Sequence, residues 1–130
     1  MDPSKKIRTE YEMFINARME LQRDNFRYAI LEAATAFELC ISSKIKSECE
    51  KFGDHESLYQ LKHGKLTLGS KVILLRSKIK TPTKSPQKEI VDPRNDLFHN
   101  GNKNPTLEEC KSVLDYVEKY LLAYLPDYLV

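Results

Sequence analysis

Apolar positions recur at steps of three and four along almost the whole chain, the spacing of helices that each bury one face. Ile7, Tyr11, Phe14 and Leu21, with Arg18 among them, predict a first helix over about 3–23, with Asp2 capping it ahead of Pro3. Ile30, Ala33, Phe37, Ile41 and Ile45 predict a second over about 25–51, capped by Asp24 and stopping near Gly53. Ala29, Ala36 and Cys40 fall beside that stripe, and small residues on two sides let neighbours come close, so this helix is expected to be central. Residues 53–67 read as a loop with one helical turn around Glu56 to Leu61. Thr67 caps a helix carrying Leu68, Val72, Leu75 and Ile79.

Pro82 and Pro86, among threonines, serine and lysines, predict a mobile loop over 80–86. A short helical segment follows, broken or kinked at Pro93. Asp92 is placed to cap a motif helix with Pro93 at its first position and Asn100-Gly101 as its exit. Thr106 and Glu109 form a capping box for the last helix, where Cys110, Val113, Val117, Tyr120 and Tyr124 continue to about Leu125 before Pro126. No segment alternates with period two, so the fold class expected is all-α, with about five to six helices.

At 130 residues, 1–130 is expected to be a single domain, long enough to bury about two-thirds of its unfolded surface. The longest apolar runs fall far below the roughly 18 residues of a membrane span, and the first residues lead into no apolar signal region. A soluble, cytoplasmic protein without a membrane partner is the expectation. Cys40, Cys49 and Cys110 show neither a disulfide framework nor paired metal-ligand spacing, so buried free thiols are predicted. With His55, His63 and His99 spread equally far, neither a metal nor a cofactor is expected.

Charge changes the picture. A formal net charge of +2 conceals one block, residues 57–88, that holds eight cations and no carboxylate. Such a run is commonly a solvated face. Here it leads straight into the motif Arg94-Asn95-x-x-x-His99, and clustered lysines attract polyanions and neutralise phosphates. Lys71, Arg76, Lys78, Lys80, Lys84 and Lys88 are accordingly the candidate RNA contacts. Arginine binds phosphate in a fork and histidine trades protons near neutral pH, so Arg94, Asn95 and His99 point to phosphodiester chemistry. On a helix Asn95 and His99 share a face, whereas Arg94 and His99 stand about 140° apart. Arg94 must therefore reach round, or meet the histidine of a second subunit. Each residue also has a bland reading: a helix-end histidine near the last carbonyls, an Arg94 ion pair with Asp92 or Glu89, and a local Asn95 bond to backbone. Tyr116, Tyr120, Tyr124 and Tyr128 stand four apart, either as a stacking platform for bases or as the edge of a core or subunit interface.

The Arg94-Asn95-x-x-x-His99 motif with its glycine turn, behind an alanine-rich helix reading Ala29 to Glu38, resembles the HEPN superfamily, and within it the prokaryotic Apea-like branch. The similarity spans about residues 10–125. It implies an up-and-down helical bundle, usually a homodimer, in which the motifs of both subunits meet in a cleft. Many such proteins are metal-independent endoribonucleases acting as toxins or phage-defence effectors. By position Arg94, Asn95 and His99 match the catalytic motif, and Glu38 matches an acidic residue of the second helix with a supporting role. Pro93 directly before the arginine departs from the pattern and is expected to tilt the motif helix. Any recognition module or neutralising protein is expected to come from another chain.

Cleavage of RNA by its own 2′-hydroxyl needs a base, an acid and stabilisation of the charge on phosphorus. One imidazole cannot be base and acid in one step, so two copies of His99 across a dimer axis, or His99 with His55 or His63, would divide the roles. The alternative is a non-catalytic dimerisation or RNA-binding adaptor that uses the basic block only for docking.

Overall fold

The computed structural model describes residues 8–101 and 103–125, and these form an all-α helical bundle. The helices are α1 (Thr9–Gln22), α2 (Phe26–Phe52), α3 (His55–Lys62), α4 (Leu68–Lys78), α5 (Asp92–His99) and α6 (Leu107–Tyr124). A π-helical turn, Gln87–Val91, runs directly into α5. The expected cap Asp2 with Pro3 behind it, the stripe residue Ile7, the stop Pro126 and Tyr128 lie outside the described residues. Among the described residues no helix is long and apolar enough to cross a membrane.

α2 is the central element. Ala29, Ala33, Ala36, Phe37, Cys40, Ile41 and Ile45 are all completely buried, because the small residues of one stripe let α1 and α6 close against the helix while the large ones fill the space between. The Phe37 ring meets Tyr120 of α6 edge to face, with centroids 4.8 Å apart. α1 is fixed to α6 by an ion pair between Arg18 and Glu118 and by the Tyr11 hydroxyl, which donates to the Leu125 carbonyl at 2.7 Å.

Several predicted element ends are corrected. Asp24 does not cap α2: it adopts φ 62° and closes α1 instead, with its N–H donating to the Leu21 carbonyl and the N–H of Asn25 to that of Glu20. This is a Schellman turn, and aspartate is one of the few residues that tolerate its left-handed position. Gly53 ends α2 in the same way at φ 69°. The single turn expected around Glu56 to Leu61 is a full helix, α3, because Asp54 accepts a capping bond from the Ser57 N–H. Thr67 and Thr106 cap α4 and α6 as expected, each accepting from the N–H three residues on.

The loop over 80–86, expected to be mobile, is fastened. Thr83 is buried with its hydroxyl 2.8 Å from that of Tyr120, Thr81 Oγ1 donates to the Thr83 carbonyl, and Arg76 donates to the Lys84 carbonyl. A buried hydroxyl must be paired, and Tyr120 supplies the partner that composition could not reveal. Tyr120 is itself fully buried and packs edge to face on Tyr124, and Tyr116 and Tyr124 pack partly buried against the core, so the described tyrosines of the column form a core edge.

All three cysteines are buried free thiols. Burial pushes Cys40 up to about 12 and Cys110 up to about 11, and raises Cys49 as well. Because the thiolate is the reactive form, the native protein at pH 8 is expected to resist a thiol-titrating reagent. All three groups should then react at once in denaturant; rapid labelling of the folded chain would contradict this burial.

Candidate functional site

The motif helix α5 owes its position to one core residue and one distant arginine. Leu97 is 1% exposed and anchors the helix to the bundle. Arg27, at the start of α2, donates from Nη2 to the Leu97 carbonyl at 2.8 Å and from Nη1 toward the Gly101 carbonyl at 3.5 Å. A guanidinium across the last carbonyls satisfies acceptors that a helix end leaves open and complements its negative pole. Sequence reasoning missed Arg27: nothing local marks a residue that acts about 70 positions along the chain.

Asp92 was expected to cap this helix, but no cap exists there, because the chain arrives already helical. The N–H of Asp92 donates to the Gln87 carbonyl five residues back, and its carboxylate accepts from Gln87 Nε2 at 2.8 Å. Pro93 explains the wide turn. A proline ring collides with the carbonyl four residues earlier and has no N–H to offer it, and widening the turn relieves the clash. The kink expected at Pro93 is thus a π turn that carries the helix on.

Within the motif, Arg94 Nη1 donates to Asn95 Oδ1 at 2.8 Å, and the guanidinium lies over the exposed Phe98 ring, 4.6 Å from its centroid. Phe98, four residues on, was legible as a helical neighbour of Arg94 and was missed. The bland alternative for Arg94, an ion pair with Asp92 or Glu89, is not formed: Asp92 is engaged by Gln87, and Glu89 accepts from the Ser85 N–H. Asp96 is neutralised by Lys103 at 3.1 Å, a bond that raises the lysine pKa. Among the described residues most of the Arg94 donors therefore remain open, on a half-buried side chain. His99 is exposed in the last turn and has no bonded partner among the described residues. It and Arg94 are about 7.5 Å apart along the axis and turned away from each other, so one chain does not bring them together.

The remaining candidates lie elsewhere. Glu38 pairs with Lys71 of α4 at 2.7 Å. It stands eleven residues beyond Arg27, about 16 Å along α2, and bonds to none of the motif side chains. His55 opens α3 beyond the far end of α2, and His63 packs on Tyr59 in that same helix, 4.2 Å between centroids. Neither joins the motif. Among the described residues no three histidine, cysteine or acidic side chains gather as metal ligands.

The basic block is divided by the fold. Lys71 is held by Glu38, and Lys78 by Asp54 at 2.8 Å, so carboxylates from α2 and its exit neutralise two of the six candidates. The Lys78 bond, then those from Ser57, lower the Asp54 carboxyl to about 2, while Lys78 is raised. The depressed carboxyl stabilises the fold above its unfolded value near 4, and the contribution is lost as pH falls through about 2. Asp54→Asn, which keeps a capping side chain, is expected to melt below wild type at pH 7 and to coincide with it near pH 2. Equal melting at pH 7 would show the pair to be inert. Arg76, Lys80 and Lys84 instead share an open concavity of about 470 Å³ between the end of α4 and the loop, while Lys88 borders a second of about 580 Å³ together with Asp92, Asp96 and Glu108.

Comparison of the chain with protein-family models, with curated proteins and with solved structures gave no match.

Proposed function

We propose that this chain is a metal-independent endoribonuclease that works as a homodimer. The observation that carries the reading is the state of the motif helix: an exposed imidazole and a guanidinium with open donors on one short anchored helix, its carboxylates engaged elsewhere. A second copy is favoured because one imidazole cannot be base and acid in one step, and the other subunit supplies the second His99.

In the reaction one His99 takes the proton of the 2′-hydroxyl, whose oxygen attacks phosphorus. The bond from phosphorus to the 5′-oxygen breaks, and the second His99 protonates that leaving oxygen. Arg94 stabilises the charge on the phosphoryl oxygens, and Asn95 fixes the guanidinium through the bond it already accepts. The products are a 2′,3′-cyclic phosphate and a 5′-hydroxyl end. The resemblance adds the biological setting of a toxin or phage-defence effector held in check by a partner protein.

Single-stranded RNA incubated with the purified protein in chelator tests the reading. Cutting to cyclic-phosphate ends by wild type, lost in His99→Ala, is the expected result. An inactive wild type, equal cutting by the variant, or a strictly monomeric protein in solution would overturn it. RNA retained but never cut would leave an adaptor.

A further inference from the structure

We infer that the concavity between the end of α4 and the loop over 80–86 is a docking groove for the phosphate chain of single-stranded RNA, separate from the motif helix. Arg76, Lys80 and Lys84 line it, all three exposed, and no carboxylate does. Elsewhere in the block the fold spends carboxylates on Lys71 and Lys78, and three of the six cations left, Arg76, Lys80 and Lys84, share this one groove, whereas Lys62, Lys65 and Lys88 lie outside it. The groove is also preformed. The buried Thr83–Tyr120 bond and the Arg76 bond to the Lys84 carbonyl hold the loop in place, so the ordering cost left when an anion enters is that of the cationic side chains.

Its shape suits a strand better than an isolated anion. The opening is wide and the three cations are long and solvated, an arrangement that neutralises successive phosphates without enclosing any of them. From Lys84 the chain runs through the π turn and α5 to His99, a path of at most roughly 20 Å along the helical part. At about 3.4 Å per stacked nucleotide this separates groove and motif by no more than about six nucleotides. Docking here would determine which part of a strand is presented to α5. The choice of RNA as the strand rests on the proposed function; the groove and its charge do not.

A strand of about 12 nucleotides bearing 2′-O-methyl groups, which cannot be cut through its 2′-oxygen, reads binding alone. Lys80→Glu with Lys84→Glu is expected to weaken it about tenfold or more at low salt, and to flatten the plot of log affinity against log salt by about 1.4, or ~0.7 for each lost contact. Lys46→Glu with Lys51→Glu, an equal charge change on exposed positions of α2 outside the groove, is the comparison. A much smaller loss there supports the groove; equal losses in both variants, or no loss in either, overturn it. Groove-dependent binding by a protein that cuts no RNA would sink the enzyme reading alone. Cutting by a wild type whose binding ignores Lys80 and Lys84 would sink the groove alone.

Discussion

His99→Ala is expected to slow RNA cleavage by about 10²- to 10⁴-fold, the usual contribution of a positioned acid or base. The loss should sit at the upper end if both copies of the imidazole serve one phosphate, because the substitution then removes base and acid together. Mixing equal amounts of wild type and variant sharpens the test. Shared sites lose activity beyond simple dilution, whereas independent sites lose half. Stability offers no escape from the result, since His99 is exposed and bonded to nothing among the described residues. Its removal should leave the unfolding free energy within about 0.5 kcal/mol of wild type. Arg94→Lys is the companion variant: it keeps the charge but loses the fork, the bond to Asn95 and much of the stacking on Phe98. Cleavage by His99→Ala within a few-fold of wild type would end the assignment.

Phe37→Ala should have the largest effect on stability, a loss of about 3–5 kcal/mol. The ring is completely buried at the centre of α2 and packs on Tyr120, which in turn holds Thr83. Neighbouring alanines at 33, 34 and 36 cannot move in to fill the space, so a cavity remains. Domains of this size have a total stability of about 5–15 kcal/mol, so the variant would approach its folding limit. Urea unfolding checks this through the midpoint at unchanged slope. A loss under about 1 kcal/mol would mean that the core is not organised around this residue. The damage should also reach the loop, since Tyr120 would lose one side of its packing while still anchoring Thr83.

The helices were legible because their cause is local. Ile30 to Ile45 and Cys110 to Tyr124 carry their burial in a 3.6-residue rhythm, and Thr67 and Thr106 announce the helices that they cap. The ends that were misread depend on conformations without a sequence mark, such as aspartate at φ 62° in a position that looks like a cap. The π turn escaped because proline signals a clash without saying how the chain relieves it. In the candidate site, the residue types of the motif were readable and its surroundings were not. Arg27 reaches α5 from about 70 residues away, and Glu38 and Asp54 cancel lysines that stand alone in the sequence. Charge along a chain is a local property; charge on a surface is decided by what the fold brings beside it.

The widened turn before Pro93 has a consequence for how this molecule can change. It lies between the cations at 76–84 and the motif at 94–99, and it sets the angle at which one follows the other. A single pyrrolidine ring therefore acts as a phase adjuster: replacing it would let the turn tighten and swing the α5 tip about its own axis while the upstream loop stayed pinned to Tyr120. On the proposed reading, the strand gripped by the groove and the bond offered to the motif would then shift relative to each other through one position, against the hold of Leu97 and Arg27 on α5.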